Sequence, residues 1–89
     1  MRAVITVLGK DKIGIIYNIT SVLAKYGVNI LDISQTIMQD FFSMVMIVDI
    51  ENSTVIFGEL QSELEKKGIE IGLSARIQHE DIFNSMHQV

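Results

Sequence analysis

The chain begins with an apolar run, "RAVITVL" at residues 2–8, rich in β-branched side chains and closed by Gly9, which predicts a strand. From Ile13 the period changes. Ile15, Ile16, Ile19, Val22, Leu23 and Tyr26 recur at three- and four-residue steps and so form one face of an amphipathic helix. Asp11 is placed to cap its start and Gly27 to close it in the left-handed conformation. Residues 28–38 alternate, with Leu31, Ile33 and Ile37 on one side and Asp32, Ser34 and Thr36 on the other, as in a half-exposed strand. A tight reversal around Gln39 and Asp40 leads into a third strand, "FSMVMIVDI", ending at Ile50. Asn52, Ser53 and Thr54 are cap candidates for a second helix, whose inward stripe is Phe57, Leu60 and Leu64, with Ile56 as a further candidate. Lys66 and Lys67 favour the negative end of that helix and Gly68 is expected to terminate it. Residues 70–78 alternate again, with Ile71, Leu73, Ala75 and Ile77 on one face.

The order is therefore strand, helix, strand, strand, helix, strand. The first and third strands are apolar on both faces and belong in the middle of a sheet, whereas the second and fourth alternate and belong at its edges. Sheet order 4-1-3-2 follows, the α+β ferredoxin-like βαββαβ sandwich, all antiparallel, with right-handed crossovers placing both helices on one face. The other face keeps apolar central strands without cover. The tail, residues 79–89 or "HEDIFNSMHQV", carries a short stripe of Ile82, Phe83, Met86 and Val89 and predicts a C-terminal helix. A helix that brief needs packing, so the tail is expected to dock on the open sheet face or on a partner subunit. Residues 1–89 read as one domain, and an uncovered apolar face favours a homodimer.

Composition narrows the chemistry. The 89 residues include no cysteine, tryptophan or proline, which removes disulfides, zinc–thiolate sites and cysteine nucleophiles. A net charge of −4, with its few cations scattered, disfavours nucleic acid as a partner. No apolar run approaches the ~18 residues of a membrane span and no secretory pattern is seen, so a soluble, cytoplasmic protein is expected.

The stretch "VLGKDKIGII", residues 7–16, has the glycine spacing of a phosphate-binding loop, yet Ile15 and Ile16 stand where Lys and Ser or Thr are needed. An acylphosphatase-like site would need an arginine in this loop, a metallochaperone would need paired cysteines, and an RNA-binding module would need an aromatic residue in the first strand. None is present. His79, Glu80, Asp81 and His87 suggest a metal site on the tail, but a solvated helix end explains them equally well, and the methionines read as adaptable filler. No catalytic residue, metal or cofactor is expected.

"VLGKDKIGIIYNITSVLAKYGVNILDIS" resembles the first half of an ACT domain, the small regulatory module that senses amino acids. "DISQTIMQDFFSM" and "HEDIFNSMH" resemble a subgroup of short stand-alone ACT proteins of bacteria and archaea, similar in turn to the ACT halves of the glycine cleavage system repressor. The resemblance implies a ligand where the first loop of one subunit meets the start of the second strand of its partner. Carried onto this chain, the loop-closing glycine is Gly14, the acidic residue before it Asp11 and the strand-opening asparagine Asn29; Ile13 stands where the family often has proline. The implied ligand-binding set is Gly9, Lys10, Asp11, Lys12, Ile13, Gly14, Ile15, Asn29 and Ile30.

The chemistry of this set suits a zwitterion. Gly9 and Gly14 let backbone N–H groups at the helix start approach a carboxylate, Lys10 and Lys12 attract it, and Asp11 and Asn29 can accept from an ammonium group. Each residue also has a structural reading: Asp11 as a helix cap, Gly14 as a close-packing position, Asn29 as a turn residue. Their expected convergence at one end of the fold favours binding. The expectation is a dimeric, non-catalytic sensor of an amino acid, serine or glycine, that signals to a regulated partner protein. The alternative is a constitutive interaction module whose open sheet face binds another protein without a small ligand.

Overall fold

The computed structural model describes residues 1–10 and 13–81 of the chain. Strand β1 spans Arg2–Lys10, helix α1 Ile15–Lys25, β2 Asn29–Met38, β3 Phe41–Asp49, helix α2 Phe57–Ile71 and β4 Ser74–His79. The strands form one sheet in the order β2-β3-β1-β4, antiparallel throughout, which is the expected order read from the other edge. The ferredoxin-like arrangement is thus the fold of this chain.

Double-sided apolar patterning in β1 and β3 does what it predicts. Ala3, Ile5 and Val7 lie opposite Val48, Met46 and Met44, and this set faces α1 and α2 in a single core. Ile15, Ile19, Val22 and Leu23 of α1, Leu60 and Leu64 of α2, and Ala75 and Ile77 of β4 complete it. Met44 and Met46 are wholly buried, and full burial of such a side chain contributes about 1.5–3 kcal/mol.

Both helices stop in the same way. Gly27 has φ 72° and Gly72 φ 79°; beyond each, the next N–H reaches back five residues, Val28 to the Leu23 carbonyl at 2.9 Å and Leu73 to the Gly68 carbonyl at 2.7 Å. These are left-handed glycine caps that satisfy the last carbonyls.

Several boundaries differ from the sequence reading, each for a packing reason. β1 runs through Gly9 to Lys10, because Gly9 pairs with Phe42 and a Cβ there would collide with Leu73. Gly68 lies inside α2 rather than ending it: it is buried, and an added Cβ would stand 2.9 Å from the Leu73 carbonyl oxygen, so it permits close approach of α2 to the chain entering β4. Ile71 accordingly belongs to α2, not to β4. Ile56, the N-cap of α2, is 77% exposed rather than inward, and neither helix start carries a side-chain cap among the described residues. Ser53 instead bonds within its own turn, donating to the Val55 carbonyl at 2.9 Å. Leu31 is the extra residue of a bulge between Ile30 and Asp32, so Ile30, not Leu31, shares the helix-side face with Ile33 and Ile37. The expected C-terminal helix and its docking fall on residues 82–89 and lie outside the described residues.

Candidate functional site

The start of α1 carries the candidate chemistry. Gly14 is its N-cap with φ 87°, a conformation that costs a side-chain-bearing residue about 1–2 kcal/mol. Its carbonyl accepts the Asn18 backbone N–H at 2.9 Å and the Asn18 side-chain amide at 2.8 Å, which fixes the first turn. No acidic residue occupies that turn, so the positive end of the helix dipole is uncompensated by the described residues. Beside it lies a groove of about 260 Å³ lined by Gly14, Ile15, Tyr17, Gln35, Ile37 and Phe42.

Asn29 and Ile30 lie elsewhere. Asn29 opens β2 and pairs with Asp49, at the end of β3 opposite Phe41, which pairs with Lys10 and Met38. At roughly 3.3 Å per residue, the run from Phe41 to Asp49 spans about 26 Å. The expectation that the loop and Asn29 converge at one end of the fold is therefore corrected: the path through α1 carries the chain back to the far end before β2 begins. There, Asn29 and Ile30 line a second groove of about 410 Å³ with Tyr17, Thr20, Leu23 and Val28. Both grooves open along the same α1–β2 flank, and Tyr17 lines both.

The remaining expected residues divide into packing and surface positions. Gly9 sits in β1 against Leu73, and the Ile15 side chain is 3% exposed in the core, so only its backbone faces the helix start. Lys10 ends β1 at the surface, and Ile13 stands fully exposed at 105%. Asp11 and Lys12 lie outside the described residues. Tyr17 and Gln35 line the upper groove and were missed. A signal existed for Gln35, the one polar residue in phase with Ile33 and Ile37.

Among the described residues β2 is an unpaired edge of ten residues, of which only Ile30 is not exposed. Along it, and along the adjoining side of α1 and the β2–β3 hairpin, Ile16, Tyr17, Leu31, Ile33, Ile37, Met38 and Phe41 remain exposed. A long, apolar, free edge is a template for another strand. Strands pairing antiparallel across this edge, related by a two-fold axis, would bring the Asn29 end of one copy beside the helix-start end of the other. The Gly14 and Asn29 groups implied by the sequence thus lie at opposite ends of one flank.

Fold and flank together define a two-layer α+β module with an exposed sheet edge beside a glycine-started helix. The ACT domain family model matches residues 2–78, and the chain belongs to that family. A UPF0237 protein of Clostridium acetobutylicum is 54% identical over 89 residues, covering 100% of both chains. An ACT domain protein from Streptococcus pneumoniae has a similar structure, with a TM-score of 0.81 and 38% identity over 93% of each chain. A protein described as a glycine cleavage system transcriptional repressor shares the fold at a TM-score of 0.73 and 22% identity, over 86% of this chain and 44% of that one. The resemblance read from the loop and the second strand thus holds.

Among the described residues, no group of histidines and carboxylates is arranged to hold a metal, and no helix is long and apolar enough to cross a membrane.

Proposed function

We propose that this chain is a non-catalytic regulatory module that works in the cytoplasm as a two-fold pair and senses a small amino acid, serine or glycine, between its two copies. The observation that carries this reading is the placement of the Gly14 helix start and the Asn29 groove at opposite ends of one exposed strand edge. Pairing through β2 joins each helix start to a partner Asn29, giving two equivalent sites. In each, first-turn N–H groups of α1 face the ligand carboxylate with the dipole behind them, while the Asn29 side-chain oxygen of the other copy accepts from the ammonium group. Membership of the ACT family supports a regulatory role. Ligand then shifts the pair between arrangements by its differential affinity for them, and a regulated partner protein reads the outcome.

A thermal-shift screen against the twenty amino acids tests this. Ligand at about 100 times its Kd stabilises by about 2.7 kcal/mol, which moves the melting point of a domain this size by many degrees. Asn29→Ala should remove the shift while leaving the unliganded melting point nearly unchanged, since Asn29 is exposed. A chain that no amino acid stabilises would favour the constitutive interaction module instead.

A further inference from the structure

One residue of β2 breaks the pattern of its own strand. The helix-side positions are Ile30, Ile33, Gln35 and Ile37, paired with Val48, Met46, Met44 and Phe42 of β3, all of which belong to the core. The positions between them, Asp32, Ser34 and Thr36, are polar, as the open face of an antiparallel sheet requires. Gln35 is thus a polar side chain in an apolar row, paired with the wholly buried Met44. An isoleucine there would continue the stripe, and a departure from a pattern that its neighbours obey is expected where a protein binds something.

The surroundings of Gln35 give the departure a meaning. Its side chain lines the groove beside the start of α1, together with Gly14, Ile15, Ile16, Tyr17, Ile37 and Phe42. Within that lining only the Gln35 amide and the Tyr17 hydroxyl offer side-chain hydrogen bonds, and no described residue engages the amide. A carboxamide both donates and accepts, so it can pair with a hydroxyl. The groove's volume of about 260 Å³ lies just under the roughly 300–1,000 Å³ of pockets for drug-sized molecules, which suits a smaller ligand.

We propose that Gln35 is a specificity-determining residue: it hydrogen-bonds the side chain of an amino acid whose carboxylate sits at the Gly14 helix start, and so selects a ligand with a hydrogen-bonding group close to its α-carbon over one whose side chain is aliphatic or absent. This inference rests on the amino-acid-sensing reading above and adds a choice between its two candidates, since serine offers Gln35 a partner and glycine does not. Gln35 and Gly14 line one groove of one copy, so the side chain is read within a single chain while Asn29 of the other copy is left to the ammonium group. An aliphatic ligand of the same size would displace water from the amide and give nothing back, which is how a polar group in a site rejects the analogue that lacks its partner.

Calorimetric titration of the native chain with L-serine, L-alanine and glycine, repeated on Gln35→Met, tests the assignment. Methionine keeps the length of the side chain without its hydrogen bonds, and the exposed position tolerates it. The native chain is expected to bind serine roughly two- to tenfold more tightly than alanine, and the variant to lose that preference while its affinity for alanine stays the same. No preference for serine in the native chain, or a preference that survives in Gln35→Met, would overturn the proposal and leave amino-acid sensing standing. A native chain that takes up none of the three would overturn the sensing reading and this inference with it.

Discussion

Asp49 shows how one surface carboxylate gathers a terminus. Its Oδ1 accepts the Glu51 backbone N–H at 2.9 Å and the Met1 ammonium at 3.5 Å. The Glu51 bond is the main influence holding the carboxyl below its ordinary range; desolvation opposes it, and the terminal ammonium and Arg2 add to the lowering. A depressed acid stabilises the fold fully above its unfolded pKa of about 3.9, and that stabilisation is lost as pH falls through the lower folded value. Asp49→Asn should therefore lower the melting point slightly at pH 7, with the difference closing below pH ~4; a melting series over pH checks this. Gly27 makes a larger demand. Its φ of 72° and the Asn52 carbonyl oxygen 2.9 Å from where a Cβ would stand leave no room for a side chain. Gly27→Ala should cost at least about 1–2 kcal/mol, read as a lower urea midpoint at unchanged slope.

The β2 strand is where element and function meet. Its apolar side chains are half exposed: Ile33 at 40% and Ile37 at 55%. Replacing both by glutamate removes little core and places like charges across any pairing between copies. The double variant is expected to keep the far-ultraviolet spectrum of the native chain and to sediment as a monomer where the native chain sediments as a pair. Elements were largely legible in the sequence because their periods are strong: the double-sided strands fixed the sheet order and the three- and four-residue steps of α1 fixed its buried face. The ends were read less well. Gly68 looked like a stop because glycine usually is one, but close helix–strand packing had a stronger claim on it; a bulge at Leu31 leaves no mark in an alternation that merely slips phase.

Across the molecule, the candidate site was legible as residues but not as a place. The glycines, Asn29 and the resemblance to ACT domains all stood in the sequence, yet their separation to opposite ends of β2 follows only from the antiparallel path through α1. That separation makes the account depend on pairing. It is most directly tested by mixing two variants, each blind on one half-site: Ile13→Glu, which sets a negative charge on a fully exposed position beside the helix start, and Asn29→Ala. Calorimetric titration with serine or glycine, whichever the native chain binds, should find each variant silent alone and binding restored in the mixture, with one intact site in every mixed pair. A mixture as silent as its parents would contradict the shared site, and so would a native chain that takes up neither amino acid.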